Sequence, residues 1–103
     1  MANDRIERIA AMEEAMDVVA DAAAQLSEAV AVQVDALDAV KELVSYYGSQ
    51  EWYQDREADE RGKLPDELKR GVLGEDLPYE ALVDAREAAL AALEVSTALL
   101  RAL

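Results

Sequence analysis

The chain has no cysteine and no histidine. The first absence excludes disulfides, thiolate nucleophiles and cysteine metal sites together. The second excludes Ser-His and Cys-His catalysis and removes the commonest ligand for zinc, copper or haem. There is no phenylalanine, and only two prolines and four glycines occur in 103 residues. Bases are scarce as well: 10 stand against 23 acids, for a net charge of −13. No run approaches the roughly 20 apolar residues of a membrane span. The N-terminus MANDRIERIAAMEEAM carries charges where a signal peptide would be apolar, so a cytoplasmic protein without membrane contact is expected.

What is present is apolar and small. The hydrophobic fraction of 52% is dominated by Ala, Val and Leu, which sets the chain apart from disordered sequences. At this length a single domain, 1–103, is expected, near the lower limit for a core that is stable alone. Acid and base are segregated. Between Arg8 and Lys41 lie seven acids and no base, whereas Arg56, Arg61, Lys63, Lys69 and Arg70 cluster in the middle. A long acidic segment repels a phosphate backbone, so direct nucleic-acid binding is not expected.

All glycines and prolines fall between residues 48 and 78. They divide the chain into a helix over 4–47, a turn-rich middle over 48–77 and a second helix over 78–103. The first arm follows a heptad. Taking Ile9 as position a, the a series runs Ile9, Met16, Ala23, Val30, Leu37, Val44, and the d series Met12, Val19, Leu26, Gln33, Val40, Tyr47. Only Gln33 interrupts it, and every f position from Glu14 to Glu42 is acidic. Position g holds Ala15, Ala22, Ala29, Ala36 and Leu43 in place of pairing charges, which argues against a two-stranded coiled coil and for a bundle helix with two neighbours. Asn3 is a plausible N-cap.

The second arm carries a stripe of Leu82, Val83, Leu90, Leu93, Thr97 and Leu100, with Pro78 suited to its first turn. At about 1.5 Å per residue the arms span roughly 65 and 40 Å. The expected fold is therefore all-α, the long N-terminal helix packed antiparallel on the C-terminal helix. Because the lengths differ, a homodimer with a four-helix-type core is the expected assembly.

In the middle, Ser49 can cap a short helix that ends at Gly62, and Pro65 can open a second one, PDELKR, ended by Gly71. Four of the five aromatics, Tyr46, Tyr47, Trp52 and Tyr53, lie within eight positions here. They are either a plug closing an Ala-rich bundle, the favoured reading for Tyr47 on the d series, or anchors for a partner. Asp55, Glu57, Asp59, Glu60 and Asp66 fall at positions 1, 3, 5, 6 and 12 of a calcium loop. Glu60 stands where that loop needs glycine, so no metal is expected. No cofactor is expected either.

The run YYGSQEWYQDREADERGKLPDELKRGVLGEDLPYEAL resembles the signature of a small bacterial protein family, domain of unknown function 4298. The family shows a heptad-rich helix, a YY…S…W…D…E segment and a G-x-LP-x-x-LKRGVLSED-x-x-Y-x-LL motif. The matching residues are Tyr46, Tyr47, Ser49, Trp52, Asp55, Glu57, Gly62, Leu64, Pro65, Leu68, Lys69, Arg70, Gly71, Val72, Leu73, Glu75, Asp76, Tyr79 and Leu82. Gly74 replaces the motif's usual serine, which removes that hydroxyl as a helix cap. The resemblance implies a bacterial, cytoplasmic, helical protein and supplies no activity.

The candidate binding surface is Tyr46, Trp52, Tyr53, Asp55, Arg56, Lys69, Arg70 and Tyr79. A non-catalytic module that recognises an unknown protein partner through this surface is the expected function. The alternative is an enzyme or small-ligand binder working with carboxylates and tyrosines, for instance Asp55 or Glu57 as general base near Tyr46. A third reading has the acidic helix imitating a nucleic-acid backbone to occupy a DNA-binding protein.

Overall fold

A computed structural model describes the backbone of residues 2–103 and the side chains from Asn3 onward. Helix α1 runs Ala2–Tyr46, α2 Gln50–Glu60 and α3 Asp76–Ala102, with a 3-10 turn at Gly71–Leu73 between α2 and α3. The described residues contain no strand, so the fold is all-α. No described helix is long and apolar enough to cross a membrane. The chain divides into two compact units, Met1–Asp38 and Ala39–Leu103.

The first unit is the greater part of α1. Straight-chain residues and alanine, with no Gly or Pro, let it run without a break. Asn3 lies inside the helix rather than capping it, and Asp4 takes the first turn, where it complements the helix dipole. Apart from half-buried Ala36, every described side chain of this unit is exposed. That includes the heptad residues Ile9, Met16, Leu26 and Val30.

The second unit opens with the end of α1. The chain turns sharply at Gly48, whose φ of +80° is a conformation that side chains disfavour. The Ser49 amide bonds the Tyr46 carbonyl across this turn at 2.9 Å. Ser49 then caps α2 as expected, its hydroxyl accepting from the Trp52 amide at 3.2 Å. At the far end Gly62 has φ +69°, the Lys63 amide bonds Ala58 O and the Gly62 amide bonds Asp59 O. That pair is the Schellman closure that glycine permits.

The expected second short helix over PDELKR is not formed. Residues 61–70 are turns, with one backbone bond from Leu68 N to Pro65 O. Six residues complete fewer than two turns, too little to offset the cost of helix nucleation, and the Arg70 guanidinium shares the Pro65 carbonyl with the Leu68 amide. Gly71, expected as a left-handed helix end, instead opens the 3-10 turn. That turn packs on both α2 and α3. Helix α3 starts at Asp76, two residues before Pro78, which is buried within its first turn. Its N-cap, Glu75, makes no side-chain capping bond, as the loss of serine at Gly74 implies.

Further along α3 only Leu82, Val83 and Ser96 are half-buried, while Leu90, Leu93 and Leu100 are exposed. The buried apolar residues are instead Trp52, Leu73 and Pro78.

Candidate functional site

The site expected from the sequence lies wholly in the second unit, and its centre is packing. Trp52 retains 3% of its surface and Leu73 8%. The indole N–H donates to the Val72 carbonyl at 2.8 Å, so the side chain is satisfied at its polar end as it is buried along its apolar body. Tyr47 and Tyr53 present their edges to the indole at centroid distances of 5.1 and 5.0 Å. The Arg56 guanidinium covers one face at 4.6 Å.

The neighbours of Trp52 tie α2 to the segment 70–76. Tyr47 donates its hydroxyl to the Glu75 carbonyl at 3.0 Å. Arg56 pairs with the Glu75 carboxylate at 3.3 Å. Arg70 reaches back to Asp59 at 2.7 Å, both side chains half-buried, and donates to the Pro65 carbonyl. Three links thus run from Tyr47, Trp52 and Arg56 to the Val72–Glu75 segment, and a fourth folds the 61–70 loop against the end of α2.

Tyr46 stands at the edge of this knot. Half-buried, it donates its hydroxyl to Asp55 at 2.5 Å. Its phenol is pushed up to about 12, first by burial, then by the hydrogen bond to Asp55 and the negative charge there, with Glu51 adding to it. A phenol shifted in that direction holds its proton more tightly, the reverse of what a general base or nucleophile requires.

The eight expected surface residues therefore divide. Trp52 is core, and Arg56, Arg70 and Tyr46 are committed to internal partners. Tyr53 and Tyr79 are each 60% exposed. Asp55 and Lys69 are exposed too, and Lys69 has no ion-pair partner among the described residues. Sequence reading missed Asp59, Glu75 and the Val72 carbonyl as the partners that fix the arginines and the indole. The charge pattern alone signalled the first two, since each lies within reach of the basic cluster only once the chain has turned.

Two shallow grooves flank the knot. One is lined by Lys41, Glu42, Ser45, Tyr46, Ser49 and Glu51. The other is lined by Arg56, Asp59, Glu60, Arg70, Leu73 and Gly74. The calcium-loop spacing is dissolved by α2: Asp55, Glu57 and Asp59 point to Tyr46, Arg61 and Arg70 respectively. Among the described residues no group of three or more His, Cys, Asp and Glu is placed to hold a metal ion.

Comparison with known proteins gives one match. The profile of the family described as Domain of unknown function (DUF4298) matches residues 9–95, which is most of the chain. No curated protein matches it, and no solved structure does.

Proposed function

The chain belongs to the family described as Domain of unknown function (DUF4298), and on that premise we propose that it is a non-catalytic protein–protein interaction module of the bacterial cytoplasm, working as a homodimer. One observation carries this reading. Among the described residues Trp52, Leu73 and Pro78 are the buried apolar side chains, while large apolar side chains stay exposed from Ile6 to Leu103. Isolated exposed apolar residues are ordinary on a protein surface, but contiguous apolar faces mark places where another macromolecule sits.

The aromatic and basic middle takes a second role in this proposal. Its exposed residues Tyr53, Asp55, Lys69 and Tyr79 are the contacts offered to a different protein, and Tyr53 packs against Trp52. Tyrosines anchored at one edge are good contact residues because little rotamer freedom is lost on binding. A pull-down from bacterial lysate with wild-type, Tyr53→Ala/Tyr79→Ala and Arg70→Glu baits tests this role. A partner lost from the tyrosine variant supports it. Identical partner sets from all three baits sink it.

The competing reading, a tyrosine- or carboxylate-based enzyme at the same segment, has Tyr46 and Asp55 in contact in its favour. The tightly held Tyr46 proton argues only against Tyr46 itself as the base or nucleophile.

A further inference from the structure

Resting on the homodimer reading above, we infer that the two copies meet along α1, each covering the other's a, d and g face from Ile9 to Val44. The occupant of this face is a second copy of the same chain.

Three observations point to it. The first is area. The chain exposes 8884 Å² at 11.2 kDa, whereas a compact monomer of that mass exposes roughly 5,700 Å². The surplus, about 3,200 Å² per chain, exceeds what a permanent subunit interface removes from each partner, roughly 1,000–2,500 Å². The second is where the surplus lies. Met12, Met16, Val19, Leu26, Val30 and Leu37 follow one another along α1, each 40% exposed or more. A seam of that length needs a partner of equal length.

The third is chemistry along the seam. The g positions Ala15, Ala22, Ala29 and Ala36 leave room for a second backbone to approach closely beside the a and d rows. The acidic f row, Glu14, Asp21, Glu28, Asp35 and Glu42, lies on the opposite side of the helix, where two copies do not bring like charges together. Gln33 is the one polar residue in the seam; a single polar side chain there costs stability and fixes register.

The test uses the full chain and measures mass by light scattering over micromolar concentrations. Wild type is expected at twice its 11.2 kDa. Leu26→Glu buries a charge in the seam of both copies and is expected to weaken association at least about a hundredfold, giving a monomer. Trp52 reports the second unit independently, and its emission should not change. Leu93→Glu on α3 is expected to stay dimeric.

A wild-type dimer that Leu26→Glu leaves intact while Leu93→Glu dissolves overturns the α1 seam and spares the homodimer reading. A wild-type monomer overturns both. Cross-linking supplies a second readout that needs no destabilising charge, because the chain has no cysteine of its own. With a short bis-maleimide, Leu26→Cys should link chain to chain at least about tenfold faster than Glu28→Cys on the opposite face. Equal rates overturn the inference.

Discussion

Replacing Trp52 by phenylalanine tests whether this residue is the strut of the knot or a ligand platform that happens to be covered. The substitution keeps an aromatic ring edge-on to Tyr47 and Tyr53 but deletes the indole N–H that meets Val72 O at 2.8 Å. Losing that bond and orphaning the carbonyl costs about 1–2 kcal/mol. The smaller ring gives up roughly 40 Å² of buried apolar surface, about 1 kcal/mol. Phenylalanine is also a poorer partner for the Arg56 guanidinium, now 4.6 Å above the ring, which removes about 0.5 kcal/mol more. The sum is about 3 kcal/mol, a factor of roughly 150 in the local opening constant.

Amide hydrogen exchange followed by mass spectrometry reads that constant directly, on peptides covering α2 and residues 70–79, whether or not the chain associates. Protection in those peptides should fall by about a hundredfold while the first unit of α1 is unchanged. A loss smaller than about fivefold, under 1 kcal/mol, would refute the reasoning. The indole would then carry no structural load, and a ligand would be the better account of the aromatic cluster.

Three further outcomes follow from the same geometry. Absorbance titration of the four tyrosines should show one, Tyr46, titrating last near pH 12. The unfolded chain gives up that proton near pH 10, so between those values the native state binds more protons and stability falls as pH rises. Asp55→Asn should bring Tyr46 part of the way back, because burial, the larger cause, remains; no movement would mean the hydrogen bond is not formed in solution. Gly62→Ala forces a side chain into φ +69° with nothing crowding it, so thermal unfolding should report about 1 kcal/mol from backbone strain alone. Arg70→Ala frees Asp59 and the Pro65 carbonyl, and trypsin should cut at Lys63 and Lys69 several times faster; an unchanged rate would show that the 61–70 loop is held by its backbone.

Local features were legible in the sequence because their causes are local. Ser49, Gly62, Pro78 and the heptad of α1 act within one or two turns, and each stands where the spacing put it. The PDELKR helix failed because its cap signals were right but its length was not, and the Pro65 carbonyl is shared between the Leu68 amide and the Arg70 guanidinium. Long-range choices were not legible. Nothing in the composition says that Arg56 pairs with Glu75 and Arg70 with Asp59 rather than with any other of 23 acids. Periodicity shows that an apolar face exists and is silent on what covers it, which is why the antiparallel pairing of the arms was the natural expectation. The concentration of aromatics marked the segment where Tyr47, Trp52 and Tyr53 pack together. The motif residues that mark the family resemblance turn out to build the knot: Tyr47, Trp52, Arg70, Val72 and Glu75 all make its internal bonds.

The widest gap in sequence that any of these side-chain hydrogen bonds spans is 28 residues, from Tyr47 to Glu75. Loops that short close in well under a millisecond, long before two chains at cellular dilution can find each other. The knot therefore has a folding step of its own, with a rate independent of protein concentration. Its side-chain bonds reach no further than Glu75, so it does not need the greater part of α3 to close. The sole tryptophan sits inside the knot, so stopped-flow fluorescence times its closure.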